Sequence, residues 1–296
     1  MTSFSDQPQT GFTRGSLNGS SSSPRTLFNK VMNGVIFVCG ALALLPLLLV
    51  LSYLLFKGFS SLSLELFYEL PPAALETGGG FGNAIVGTAI MVAIGAAISV
   101  PIGVAAAVYL TEFSKVGTAR WSRFATNVLS GVPSIIAGVV TYGFLIQSKI
   151  LGFSAIAGGV ALSVLMLPII VRTTDEALQL VSNDLRQAAV GIGATNYQTV
   201  LQVVLPAALS SIVTGITLSV ARAAGETAPL IFTAGFTFYW LKDLTKRAPS
   251  LSVLVYDFAI SFDKNQQSIA WAASLVLVLL VLIASIITRL ATRSKS

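Results

Sequence analysis

Six apolar stretches, each long enough to cross a bilayer, constrain this chain more than any other feature: 32–56, 84–110, 126–146, 153–171, 207–235 and 269–290. At a rise of about 1.5 Å per residue, roughly 20 apolar residues cross a hydrocarbon core of about 30 Å. Lipid offers no hydrogen-bond partner to an open strand edge or an irregular loop, so such stretches must be helices. The fold class expected is therefore all-α, a polytopic membrane protein with a six-helix transmembrane bundle. Only 10% of the residues are charged, against about 25% in soluble domains. The first stretch is too long for a signal-peptide core of about 7–15 residues and reads as a retained span. Pro46, Pro101, Pro133 and Pro168 interrupt four of the six, which a packed bundle tolerates when neighbours satisfy the freed carbonyls. Ala221 and Gly225, four apart, offer a place for close helix approach.

The same composition excludes several kinds of chemistry. There is no histidine, which removes Ser-His and Cys-His nucleophile pairs and imidazole metal sites. Cys39 stands alone, so no intrachain disulfide or paired-cysteine site exists. An intramembrane enzyme would need paired acid and base, yet Glu226 is the one carboxylate in its span, and Asp257 and Asp263 fall in a connecting loop. The net charge of +6 comes from basic residues scattered through short connections, a distribution that sets membrane orientation and argues against nucleic acid as a partner.

Residues 1–26 are polar, rich in serine and glycine, and too poor in apolar side chains to offset the entropy of ordering. They read as a disordered cytoplasmic tail before a permease domain over 27–296. Alternate connections place Arg14, Arg25, Lys30, Lys115, Arg120, Arg123, Arg172, Arg186, Arg289, Arg293 and Lys295 on one side. Lys57, Lys149, Lys242, Lys246, Arg247 and Lys264 fall on the other. Eleven against six puts both termini in the cytoplasm. Two connections exceed what a bundle needs. The cytoplasmic one, 172–206, reads as two short helices and an elbow, with Asn183 and Asn196 as caps and Gly191 and Gly193 as breaks. The outer one, 236–268, mixes Phe236, Phe238, Tyr239 and Trp240 with charges, as interfacial or re-entrant structure does.

Arg222 and Glu226 stand four apart in Ala221-Arg222-Ala223-Ala224-Gly225-Glu226-Thr227-Ala228-Pro229, inside the fifth stretch. An ionised side chain at the bilayer centre costs about 2.5–3.5 kcal/mol on insertion scales, so an intramembrane pair is a functional hypothesis by default. The guanidinium offers a planar fork matched to an oxyanion, and Glu226 would be its partner when no substrate is bound. A structural ion pair, or an arginine reaching for the interface, is the alternative. Gly78–Gly80 and Gly82 suggest a phosphate cradle by composition, but no Gly-x4-Gly-Lys-Ser/Thr occurs in the chain. That segment reads as a flexible outer loop.

Gln187-Ala188-Ala189-Val190-Gly191-Ile192-Gly193, with Val203 and Leu205-Pro206 following, resembles the EAA loop of ATP-binding-cassette importer permeases, E-A-A-x3-G-x9-I-x-L-P. Ala188, Ala189, Gly193, Leu205 and Pro206 match in register, while Gln187 replaces the family's glutamate and Val203 its isoleucine. Further segments narrow the resemblance: Asn83-Ala84-Ile85-Val86-Gly87-Thr88, Pro101-Ile102-Gly103-Val104-Ala105-Ala106, Tyr109-Leu110-Thr111-Glu112, Val132-Pro133-Ser134-Ile135-Ile136-Ala137-Gly138, Arg172-Thr173-Thr174 and Gly225-Glu226-Thr227-Ala228-Pro229-Leu230. Together they are similar to phosphate-specific ABC importers, and to the A-type permease subunit among them, over about residues 30–290.

The resemblance implies an importer permease fold with cytoplasmic coupling helices, in the bacterial inner membrane. It also implies phosphate passage by way of Arg222, Glu226 and Arg172, although Arg172 equally suits a basic flank at a helix end. The chain itself would bind no cofactor and perform no hydrolysis. ATP and Mg would sit on two partner ATPase subunits docked at the EAA loop, with a sister C-type permease subunit and an extracytoplasmic phosphate-binding protein completing the assembly in lipid. Sulfate and molybdate are the competing substrates. Phosphate alone among them carries a proton near neutral pH, which Glu226 could accept. With both termini inside, a protease confined to the outer face of intact cells is expected to leave the N-terminal tail whole; clipping there would reverse the orientation.

Overall fold

The computed structural model describes residues 24–293, all helix and connection without a strand among them. The expected tail lies outside the described residues, except that 24–26 already belong to a helix. The helices are α1 Pro24–Ser60, α2 Gly82–Val108, α3 Val116–Ser130, α4 Ser134–Thr141, α5 Ala155–Gln179, α6 Asn183–Gly191, α7 Asn196–Thr199, α8 Leu205–Ala224, α9 Ala228–Thr233, α10 Leu251–Ala259 and α11 Lys264–Arg293. Wider π turns continue three of them, at Tyr109–Phe113 after α2, Tyr142–Gln147 after α4 and Val200–Val204 ahead of α8. Pro206 has no N–H to return to Gln202, and the chain widens just before it. The chain divides into two units, one up to Tyr53 and one from Leu54 onward. The first is the apolar body of α1, its leucine, valine and phenylalanine side chains exposed in the manner of lipid-facing residues.

Five of the described helices are long and apolar enough to cross a membrane, six if one bent pair counts as a span. That pair corrects the reading of 126–146 as one span. α3 and the α4 segment meet at 97° across Gly131–Pro133. A residue preceding proline is pushed out of the helical region, so Val132 cannot carry α3 onward. Residues 126–130 therefore belong to the amphipathic α3 and only 134–147 to the apolar limb. The other three prolines, Pro46, Pro101 and Pro168, lie inside continuous helices.

In the second unit α5 is the core. Its most apolar window is 61% buried, against a third or less in the other spans. Met91 and Val92 of α2 meet Leu162, Met166 and Ile170 of α5 and Leu230 of α9 in one cluster. Gly159 permits that approach, since a β-carbon there would stand 2.5 Å from Ile94. Gly138 does the same for α4 against α9, where a β-carbon would lie 2.6 Å from the Pro229 backbone. The expected approach at Gly225 does not occur, because only Arg222 backbone lies near it. Hydroxyls on the spans return to their own helix: Thr88, Ser99, Thr173 and Ser274 each donate to the carbonyl four residues back.

The glycine-rich segment before α2 is a packed turn and not a slack loop. Gly79 N–H donates to Glu69, Gly80 N–H to the Leu70 carbonyl and Phe81 N–H to the Leu66 carbonyl. A β-carbon at Gly80 would collide with Leu66 backbone. The amides that a phosphate cradle would need are thus engaged. At the other end of the chain's long loop, Asp263 accepts from Asn265 N–H at the start of α11 and from Leu75 N–H, tying the two segments together.

Two ion pairs fasten the end of α5 to its neighbours. Asp175, 9% exposed, accepts Arg123 Nε and Nη2 at 2.8 Å, Thr111 Oγ1 at 2.7 Å and Gln179 Nε2 at 2.7 Å. Arg186 of α6 donates to Glu112 at 2.9 Å and to the carbonyls of Leu178 and Val181. Helices α2, α3, α5 and α6 thus share one polar joint. Asp175→Ala leaves Arg123 without its carboxylate and is expected to lower stability by about 1.5–3 kcal/mol, with Asp175→Asn costing less. Thermal midpoints of the detergent-solubilised variants check this, and a midpoint unchanged in Asp175→Ala would contradict it.

Candidate substrate pathway and coupling surface

α8 is apolar up to its last turn, where Arg222 faces the helix C-terminus and its partial negative charge. The helix stops at Gly225, whose N–H turns back to the Arg222 carbonyl. Glu226 thus lies beyond the helix, and the i,i+4 pairing survives through a tight turn in which Glu226 N–H bonds the Ala223 carbonyl. Pro229 does not end a helix as its position suggests; it opens α9, where its missing N–H costs nothing. Ser252 Oγ of α10 donates to the Glu226 carbonyl at 2.9 Å and holds the turn from the other side.

The pair itself is slack. Arg222 Nε lies 3.5 Å from Glu226 Oε1, whereas charge-assisted contacts of this kind close to about 2.7–2.9 Å. Arg222 is 59% exposed and Glu226 16%, so the carboxylate is fixed in the protein and the guanidinium stands open. A fork of donors in that state can take two oxygens of a tetrahedral anion without dismantling a strong bond.

Arg172 is not in a loop, because α5 runs on to Gln179 and carries it. It donates to Glu176 at 2.9 Å, both side chains more than half exposed. The pair lines a cavity of about 240 Å³ with Arg123, Thr126, Asn127 and Gln179. Arg172 and Arg222 do not meet. The neighbouring Thr173 packs on Gly215 of α8, seven residues and about 10 Å before Arg222 along the helix. The two arginines thus occupy different levels of the bundle.

The segment 180–195 leaves the spans as α6 and an elbow; the second short helix expected there is not separate, because α7 runs on through the π turn into α8 as one helix from Asn196 to Ala224. Gly193, with φ +93°, makes the turn that an L side chain would strain. The caps sit one residue earlier than the asparagines suggest. Ser182 precedes α6, and Thr195 forms a reciprocal capping box with Gln198 before α7, a pattern readable from Thr-x-x-Gln. Ala189 is buried, while Gln187, Ala188 and Gly193 are exposed. Leu205 is half-buried and Pro206 exposed at the start of α8. Around them stand apolar side chains that sequence reasoning does not single out: Leu185, Val190, Tyr197 and above all Ile192, 89% exposed at the elbow. Their apolar character in a polar connection is the signal that could have found them. The partnership of Glu112 with Arg186 is equally hidden in the sequence, since residues 74 apart carry no spacing signal. Among the described residues no three His, Cys, Asp or Glu side chains gather as a metal site would need.

Residues 99–296 match the family described as binding-protein-dependent transport system inner membrane component. The chain is 39% identical to the phosphate transport system permease protein PstA of Haemophilus influenzae, over 90% of this chain and 94% of that one. It is 37% identical to PstA of Yersinia pestis over 79% of each chain, and 34% identical to PstA 1 of Mycobacterium tuberculosis over 92% and 93%. Among solved structures, a chain of a bacterial alginate ABC transporter in complex with its alginate pentasaccharide-bound periplasmic protein superposes with a TM-score of 0.66 at 14% identity, covering 93% of this chain and 98% of that one. A chain of the inward-facing MetNI methionine ABC transporter gives 0.56 at 22% identity, covering 73% and 94%. At those identities the structures speak for the fold, while the sequence matches speak for the lineage. This chain belongs to the inner-membrane components of binding-protein-dependent transport systems and, within them, to the phosphate transport system permease family.

Proposed function

We propose that this chain is the permease subunit of an ATP-driven importer that carries inorganic phosphate across the cytoplasmic membrane. The single observation that carries the reading is the slack Arg222–Glu226 pair at the end of a membrane-spanning helix, in a chain whose named relatives are phosphate permeases. Arg222 binds two phosphate oxygens through its fork. Glu226, mostly withdrawn into the protein, takes a hydrogen bond from a protonated phosphate oxygen and repels an anion with no proton to offer. When the anion leaves, Glu226 returns to Arg222, so the site is never left with an uncompensated charge. Arg172, with Glu176 as its resting partner, serves as a second station nearer the coupling segment.

The energy comes from partners, since the chain has no phosphate-binding P-loop. Two ATPase subunits, carrying ATP and Mg, dock on α6 and α7. Exposed Leu185, Ile192 and Tyr197 supply the apolar contact that Gln187 cannot supply as a charge. Arg186 and Glu112 pass the movement of α6 to α2 and α5. A sister permease subunit completes the pathway, and an extracytoplasmic phosphate-binding protein delivers to the opposite face. Both termini lie in the cytoplasm in this reading, on the side of α6 and α7.

In vesicles containing the complete complex, uptake of labelled phosphate is expected to require ATP at the ATPase side and to resist excess sulfate. Arg222→Gln is expected to lower uptake by about tenfold or more, from the loss of a charge-assisted contact of about 1.5–3 kcal/mol, with assembly intact. Arg222→Lys should fall between. Competition by sulfate would reassign the substrate, and parental uptake in Arg222→Gln would remove the site. Gly193→Val strains the elbow and is expected to reduce ATPase subunits recovered with the purified permease, while the permease itself stays folded.

A further inference from the structure

A cavity of about 860 Å³ opens at the start of α5, lined by Phe153, Tyr239, Trp240, Lys242, Lys246 and Arg247. α6 follows the other end of α5, and 25 residues of helix, about 37 Å, separate the two. The cavity is therefore at the opposite end of the bundle from the coupling surface. Its walls are held in place. Asn83, fully buried, donates to the carbonyls of Thr237 and Tyr239 at 3.4 and 3.2 Å. Ala155 and Ile156 N–H donate to the carbonyls of Lys246 and Leu244, so the loop itself caps α5.

Three cations and a single carboxylate, Asp243, line this cavity, so positive charge is in excess. Among the described residues no carboxylate comes within ion-pair distance of Lys242, Lys246 or Arg247. Asp243 closes its own turn instead, accepting Thr245 N–H and Thr245 Oγ1, each at 2.9 Å. Those two bonds, with Lys246 adding to them, hold its carboxyl below the usual range. The Arg247 guanidinium stands over the Phe153 ring, 5.4 Å from its centre. Its aliphatic stem lies on Gly235, where φ is +70°. Gly235 follows α9 by one residue, and Glu226 precedes α9 by one. The cavity is thus joined to the Arg222–Glu226 turn by one short helix.

We propose that this cavity is a receiving site for a phosphate-type oxyanion, collected by Lys242, Lys246 and Arg247 before it reaches Arg222. The inference rests on the phosphate-import reading and adds the place where the anion enters this chain. A space this large takes the anion with part of its water, in contact with the three cations. Its contribution is a raised local concentration that falls with ionic strength. The bound group could be free phosphate or the phosphate of an anionic lipid, and the two are separable.

Two measurements on the complete complex test the proposal. In the first, amine-selective labelling of Lys242 and Lys246 is followed with and without inorganic phosphate at constant ionic strength set by chloride. Phosphate is expected to slow labelling severalfold, and Arg247→Gln to remove the protection; no protection by phosphate overturns the site, whatever the complex transports. Protection without any phosphate uptake by the parent complex would strike the import reading alone. The second measurement follows labelled phosphate uptake and binding-protein-stimulated ATP hydrolysis in the same vesicles. Arg247→Gln is expected to lower uptake about tenfold at low salt with hydrolysis retained, Arg247→Lys to restore most of it, and the deficit to narrow as salt rises. If hydrolysis falls in step with uptake, the cavity is a docking surface for the binding protein and the proposal is wrong. The same deficit is expected in phosphatidylcholine vesicles with or without phosphatidylglycerol. A deficit confined to vesicles with phosphatidylglycerol assigns the cavity to a lipid headgroup and overturns it too.

Discussion

A hydrocarbon layer supplies neither donors nor acceptors, and that constraint organises the whole chain. It forces the spans to be helical, turns their hydroxyls back onto their own carbonyls, and permits helix breaks only where other protein covers them. Gly225–Thr227 is such a break, with Ser252 of α10 bonded to the Glu226 carbonyl and Pro229 of α9 packed on Gly138. The site exists because the surrounding helices tolerate the break there. A continuous helix through 226 would have kept Arg222 and Glu226 on one exposed face, with nothing to sink the carboxylate and free the guanidinium.

The ion pairs of this chain separate into two kinds by geometry. Asp175 with Arg123 and Glu112 with Arg186 are short, have their carboxylates buried or nearly so, and are supplemented by further hydrogen bonds. Removing either member of such a pair strands its partner, so they act as joints. Arg222 with Glu226 is long and leaves the cation open to its surroundings. An arginine that is to exchange its partner for a passing anion must not be held too firmly. Arg172 with Glu176 lies between the two kinds, short but exposed on both sides.

The joints also explain how a loop outside the membrane can matter to a site within it. Arg186 reaches at once to Glu112 at the end of α2 and to the last carbonyls of α5, so α6 cannot shift without pulling on both. α5 is the most buried span and packs along α2 and α8. Contiguous packing thus connects the elbow at Ile192 to the helix that carries Arg222.

Periodicity and composition were enough to establish the all-α class, a polytopic membrane protein and the rough bounds of most of its spans, because the bilayer imposes its length on any sequence that crosses it. Arg222 and Glu226 were legible for a related reason: charge inside an apolar run is costly and so conspicuous. What spacing could not reveal was everything that depends on residues distant in the chain. The 97° bend at Pro133, the end of α8 at Gly225 and the extension of α5 past Arg172 are decided by what each segment packs against. The pairing of Glu112 with Arg186, and the gathering of Lys242, Lys246 and Arg247 beside Phe153, likewise come only from helices folded side by side. Local sequence determined which segments enter the membrane; tertiary contact decided which charges find partners there and which are left open to a ligand, because pairing depends on distance in space and not along the chain.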